Sequence, residues 1–287
     1  MSILSGIKII EIEGIGPGPF CGMQLADLGA DVILIQRPNP QARKTTINST
    51  AVLNRGKKII ELNLKDPDHQ AQVIKLIRHA DGLIEGMRPG VMERLGLGPN
   101  ICLKENPKLT YGRVTGWGQT GPLSQAAGHD INYIALSSAL WYSGRPGDAP
   151  VTPPTLIGDI GGGALHLTIG MLAAILNAHR TGKGEVIDAA MVDGSANMMN
   201  LLFSARAAGR FSNDRGKSIL DGPHWYDSYQ CSDGKFVTIG ALEPKFYQLL
   251  LDKLGLSADK DFNEQLDSDK WPLQKEKLSH VIGEYSQ

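Results

Sequence analysis

The stretch Ile7-Lys8-Ile9-Ile10-Glu11-Ile12-Glu13-Gly14-Ile15-Gly16-Pro17-Gly18-Pro19-Phe20 decides the fold. Residues 7–12 read as a buried strand, and the glycine and proline run at 14–19 turns the chain. A helix is expected over 20–28 with Gly29 just past its C-cap, and a second strand follows at 32–35. The same rhythm continues outward. Residues 65–80 predict a helix with Pro67 near its start and Val73, Leu76 and Ile77 on one face. Residues 82–86 and 109–114 are further short strands. Strands alternating with helices predict an α/β fold, a parallel sheet covered by helices.

Beyond Gly128 the pattern becomes more helical, with helices expected at 131–142 and 164–179. The turn Arg180-Thr181-Gly182-Lys183-Gly184 ends the second, a strand follows at 184–190, and a helix at 196–208. The polar, glycine-rich run 209–222 reads as a linker, so the expected division is a large domain at 1–210 and a small one at 211–287. In the latter, a strand at 235–241 leads through Glu243-Pro244 into an amphipathic helix at 244–254. Residues 156–176 are apolar enough to suggest a membrane span. They carry Asp159 and His166, however, and an ionised Asp is costly in lipid, so a buried helix is expected.

Composition narrows the function. Basic and acidic residues nearly cancel, 29 against 30, with no long basic run, which argues against a nucleic-acid partner. The cysteines Cys21, Cys102 and Cys231 are scattered without metal-ligand spacing, as suits a reducing compartment. The N-terminus lacks the pattern of a signal peptide, and the expectation is a cytoplasmic protein with no membrane partner. Gly14, Gly16 and Gly18 after a strand invite a dinucleotide reading. The spacing is GxGxG rather than GxGxxG, and Pro17 and Pro19 remove two amides that would face a pyrophosphate. No cofactor is expected.

The chemistry-bearing residues sit beside glycine or proline. His129 follows Gly128, Asp159 follows Gly158, and Glu243 precedes Pro244. A His on one side of a carbon and a carboxylate on the other could remove a proton from one face and return it to the opposite one. A carboxylate bonded to one ring nitrogen of His129 would fix its tautomer, and Asp159 is the candidate. Each has a plainer reading: His129 as a helix-start residue, Glu243 as a helix cap. Arg37, the run Arg55-Gly56-Lys57-Lys58, and Arg88 could meet phosphates or be solvated surface charges.

The motifs together resemble the family III CoA transferases (CaiB/BaiF type) and, within that superfamily, the α-methylacyl-CoA racemase branch. They include Pro17-Gly18-Pro19-Phe20-Cys21, Arg88-Pro89-Gly90-Val91-Met92-Glu93, Thr115-Gly116-Trp117-Gly118-Gln119-Thr120-Gly121-Pro122, Gly128-His129-Asp130-Ile131-Asn132-Tyr133, and Gly240-Ala241-Leu242-Glu243-Pro244. The resemblance implies a Rossmann-like large domain, a smaller α+β domain, and a homodimer interlocked like chain links. It implies an acyl-CoA substrate, with CoA as part of the substrate rather than a cofactor. His129 with Asp159 would form one acid/base unit and Glu243, from the other subunit, the second. Arg37 and Arg88 would contact CoA phosphates, and Glu61, Leu62, Asn63 and Leu64 would flank the adenine. Ala127, Gly128, Asp130, Ile131 and Asn132 would line the thioester, with amides near the start of that helix stabilising an enolate.

Two rivals stand beside the racemase reading. In a CoA transferase, Asp159 would attack the thioester as a nucleophile. The transferase branch carries a run of successive glycines over its site, where this chain reads Leu220-Asp221-Gly222-Pro223-His224-Trp225-Tyr226. An acyl-CoA-binding protein without turnover is the other rival. The racemases read Asp-Gly-Gly-Ala-Pro where this chain has Asp221-Gly222-Pro223-His224, and relatives continue past Gln287, so a small domain shortened at its C-terminal side is expected.

Overall fold

The computed structural model describes residues 2–38 and 52–287. Its contacts divide the chain into two compact units, residues 1–140 with 152–199, and residues 141–151 with 200–287. Composition placed the division at 210/211. The contacts place it after Met199 and send 141–151 to the second unit. The run 209–222 is packed within that unit, with the Asp221 carboxylate accepting from the amides of Gly216 (3.0 Å) and Ser218 (2.9 Å).

The first unit is built on a six-stranded sheet: β1 (Lys8–Ile12), β2 (Asp31–Gln36), β3 (Lys57–Glu61), β4 (Gly82–Glu85), β5 (Thr110–Thr115) and β6 (Val186–Ala190). The strand order is β3-β2-β1-β4-β5-β6, and every pair is parallel. This is a doubly wound, Rossmann-like sheet whose order reverses between β1 and β4. The reversal opens a crevice at the carboxyl ends of those two strands.

Side-chain alternation along each strand feeds two cores. Ile9, Val32, Ile84 and Val114 pack under α1 (Pro17–Asp27) and α6 (His166–Thr181), with Leu25, Leu167 and Met171. Ile10, Ile35, Leu83 and Tyr111 face the other way, against Val73 and Ile77 of α2 (Pro67–Ile77) and Cys102 of α4 (Pro99–Glu105). Burying each such aliphatic side chain contributes roughly 1.5–3 kcal/mol. α2 starts at Pro67 because Asp66 caps it, its side chain accepting from the Asp68 amide. A short α3 (Val91–Arg94) precedes α4, and α5 (Asp130–Leu136) follows β5.

Several expected helices differ in extent. The helix expected over 131–142 stops at Leu136 and resumes as a 3₁₀ turn, Ala139–Tyr142. The buried helix expected over 156–176 and the helix expected over 164–179 are one run, which opens as a π-helical segment, Leu156–Leu165, and continues as α6. This span is long and apolar enough to cross a membrane by composition, and here Leu167, Met171, Ala174 and Ile175 bury one side of it against the sheet. The helix expected over 196–208 is two helices, α7 (Met191–Met198) and α8 (Asn200–Ala207), broken at Met199 where the units divide.

The second unit holds an antiparallel pair, β7 (Tyr226–Gln230) and β8 (Phe236–Gly240), with α9 (Pro244–Lys253) and α10 (Trp271–Gly283). Its core gathers Trp225, Tyr229, Tyr247, Leu251, Phe262, Leu278 and Ile282.

Candidate active site

His129 is the N-cap residue of α5, extended at φ −137° and exposed. Asn132 Oδ1 accepts from its amide at 3.0 Å, which ties the backbone of the cap to the first turn. The preceding Gly128 carbonyl accepts from the Tyr133 hydroxyl, and the Tyr133 ring meets Trp117 edge-on at 4.7 Å. A Cβ on Gly128 would lie 2.7 Å from the Tyr133 ring, so the close fold-back needs glycine there. His129 is thus presented from a rigid corner.

Asp159 lies in the π-helical segment. Wide turns of this kind are rare and gather at functional sites. Its amide donates to Asp130 Oδ1 at 2.8 Å, and Asp130 is buried at the start of α5, so one carboxylate joins the two catalytic candidates through the backbone. The segment packs on α7 so tightly that a Cβ on Gly194 would fall 1.9 Å from the Gly162 carbonyl oxygen. At its far end His166 Nδ1 donates to the Gly161 carbonyl (2.7 Å), leaving Nε2 to accept from Asn197 (3.0 Å). On its other side, a Cβ on Gly16 would sit 3.5 Å from Asp159 Oδ2, and Gly16 has φ 70°. The loop after β1 therefore runs close to the carboxylate.

Burial raises the Asp159 carboxyl above its ordinary range; the Asp130 charge adds to the rise and His129 opposes it. No hydrogen bond or ion pair within 4.0 Å joins the His129 ring to Asp159, so the direct bond expected from the sequence is absent, and the two are coupled through space.

Two cavities open at the carboxyl end of the sheet, where the strand order reverses. The larger, about 520 Å³, is lined by Arg37, Leu62, Asn63 and Leu64 among others. The smaller, about 220 Å³, is lined by Arg88, Ala127, Gly128 and His129, with Trp117 and Tyr133 behind them. Met87 lines both. Of the expected site residues, Glu61 is exposed outside the larger cavity's lining. Asp130 is buried as an anchor for Asp159, and Ile131 and Asn132 lie exposed beyond the smaller cavity's wall. Glu13, Met87, Trp117 and Tyr133 line the cavities and were not singled out from the sequence. Trp117 and Tyr133 stood inside quoted motifs, whereas nothing local marks Glu13 or Met87.

In the run Arg55-Gly56-Lys57-Lys58, Arg55 and Lys58 are exposed surface charges, one of the two readings the sequence left open, and Lys57 fits neither. Arg55 pairs with Asp27 (2.5 Å), Lys58 with Asp31 (2.7 Å), and the wholly buried Lys57 with the equally buried Glu11 (2.6 Å). Lys57 Nζ also donates to the Pro19 carbonyl at 2.9 Å, so it braces α1 from beneath instead of meeting a phosphate. Among the described residues no three His, Cys, Asp or Glu side chains gather as a metal site.

Glu243, in the second unit, is the N-cap residue of α9 and is exposed. Its carbonyl accepts from the amides of Phe246 (2.9 Å) and Tyr247 (3.0 Å), but its carboxylate makes no cap bond. The side chain is left over from helix capping.

The model of the CoA-transferase family III matches residues 4–286. Alpha-methylacyl-CoA racemase of Homo sapiens is 42% identical over 282 residues, covering 98% of this chain and 72% of that protein. The succinyl-CoA–L-malate CoA-transferase beta subunit of Chloroflexus aurantiacus is 32% identical, covering 97% of this chain and 70% of that one. Among solved structures, a CAIB/BAIF family protein from Brucella suis superposes with a TM-score of 0.81 at 26% identity, covering 99% of this chain and 79% of that one.

Proposed function

The chain belongs to CoA-transferase family III, and we propose that within it the protein is an isomerase that inverts the α-carbon of 2-methylacyl-CoA thioesters. One observation carries the reading: an exposed His129 on the wall of a small cavity, electrostatically coupled to a half-buried Asp159. The 42% identity to the human racemase supports it.

In this reading the CoA moiety lies along the larger cavity, with Arg37 and Arg88 toward its phosphates, and the thioester enters the smaller one. The α-hydrogen of a thioester is far less acidic than imidazolium, so base strength alone cannot drive its removal. Charge developing on the thioester oxygen needs preorganised donors. The Asn132 and Tyr133 amides turn back to the His129 carbonyl (2.8 and 3.3 Å), which leaves those of Asp130 and Ile131 at the head of α5 for that role. His129 takes the α-proton from one configuration, a planar enolate forms, and Glu243 of the partner subunit returns a proton to the other face. Starting from the opposite configuration, the two groups exchange roles. The Asp159 carboxylate stabilises the imidazolium formed on the way.

The test is to incubate the protein with one configuration of a 2-methylacyl-CoA in D₂O and follow the α-hydrogen by NMR. Deuterium incorporation with formation of both configurations, in the absence of any acceptor acid, is expected. Transfer of CoA to an added acid without that exchange would replace this reading with a transferase in which Asp159 is the nucleophile.

A further inference from the structure

The segment that separates the two cavities is 86–91. Gly86, Met87, Arg88 and Pro89 line the smaller cavity, and Met87 and Val91 line the larger. Both ends of this segment are held by one side chain that lines neither. Arg113, on β5 and 5% exposed, donates Nε to Glu85 Oε1 at 2.7 Å. Its Nη1 and Nη2 donate to the two oxygens of Glu93 at 2.8 and 3.3 Å. Glu85 is the last residue of β4 and fully buried, and its other oxygen accepts the Met87 amide at 2.6 Å. Glu93 lies on α3, where a Cβ on the neighbouring Gly98 would fall 2.9 Å from its Cγ.

Two carboxylates and one guanidinium are a costly way to fill such a place. Burial raises the Glu85 carboxyl, though the Met87 amide and Arg113 pull it down. Apolar side chains of equal volume commonly stabilise a fold as well or better. What a planar fork adds is direction, because it fixes two carboxylates at once in both distance and orientation.

We propose that Arg113 is a positioning residue for the acyl-CoA. By holding Glu85 and Glu93 it fixes the Met87–Arg88 wall shared by the two cavities, so that the CoA portion and the thioester beside His129 stay in register. The proposal rests on the acyl-CoA reading above. A wall that samples other positions lowers the competent fraction of molecules, and apparent affinity falls by that fraction.

The experiment compares the parent chain with Glu93→Gln and Arg113→Lys. Glu93→Gln is the milder change, since that side chain is 45% exposed and its replacement keeps the shape. Hydrogen exchange on the ligand-free proteins is expected to speed up roughly tenfold or more at the hydrogen-bonded amides of Met87 and Val91, with the β1 and β2 amides unchanged. Titration with CoA itself should show roughly 5- to 20-fold weaker binding, and KM should rise by the same factor while kcat falls less. Arg113→Lys should move further in the same direction. Unchanged exchange at Met87 and Val91, or parental CoA affinity in both variants whatever their Tm, overturns the proposal. If the parent binds no CoA while the variants still loosen the segment, the acyl-CoA reading falls and the positioning role falls with it.

Discussion

Asp159 in the first unit and Glu243 in the second are both carboxylates at the start of a helical turn, yet the chain treats them oppositely. Asp159 is half-buried, its amide is bonded to Asp130, and its carboxyl is raised by burial. Glu243 is exposed and its carboxylate caps nothing. The first is prepared by packing within its own unit, and the second is left available. The two units also hold different buried polar groups. In the first, the buried Arg113 has carboxylate partners on two sides, and the buried Lys57 meets Glu11. In the second, His224 is fully buried with Nε2 bonded to the Tyr247 hydroxyl (2.8 Å), while Nδ1 has no partner. A carboxylate held from within should respond to changes in its own unit; one left open should respond to a second copy of the chain.

The largest effects should come from removing either proton-transfer group. His129→Ala and Glu243→Ala are each expected to slow α-proton exchange by about a thousandfold, measured by NMR in D₂O. Near-parental exchange in either would end the two-base scheme. Mixing the two inactive variants after partial unfolding sharpens the comparison. If Glu243 acts on another copy, about a quarter of the sites in the mixture are intact and activity returns to that level. If it acts within its own chain, nothing returns.

Asp130→Ala should come next. It releases the Asp159 amide and leaves it unpaired, at about 1–3 kcal/mol, and turnover should drop about tenfold or more as Asp159 loses its placement. Turnover equal to the parent would show that Asp159 needs no such anchor. The last effect is on stability rather than turnover and concerns the second unit alone. Burial lowers the His224 pKa from 6.5 to about 4. The unfolded chain then binds the proton first, so stability is fully present above pH 6.5 and is lost as pH falls toward 4. The loss is on the order of 3 kcal/mol. Melting curves between those pH values should show the slope in the parent and a flatter one in His224→Phe.

How much of this was legible in the sequence depended on how local the signal was. The strand expected over 7–12 and the helix closed by Gly29 are read correctly because apolar runs and chain-breaking residues act within a few positions, but that helix starts at Pro17, inside the turn expected over 14–19. β3 was missed because Lys57-Lys58 and Glu61 make it look like a charged loop; the Lys57 charge is met by Glu11, 46 positions earlier. β7 was missed because Asp227, Ser228 and Gln230 make Tyr226–Gln230 read as a polar loop. The buried helix expected over 156–176 is found, but nothing local marks its opening turns, Leu156–Leu165, as π-helical; their glycines let α7 lie against them.

The sequence by itself determined the alternating α/β architecture, the glycine and proline corners, and the residue types able to move a proton. Those follow from hydrophobic periodicity and backbone preference, which are properties of neighbours in the chain. Only the tertiary structure decided that Lys57 is a brace rather than a phosphate ligand, and that Asp130 anchors Asp159 instead of lining the cavity. It likewise decided that one arginine on β5 ties both ends of the wall between the cavities. A charge takes its role from the groups that surround it once water is excluded, and those groups are brought together by the fold across long stretches of chain.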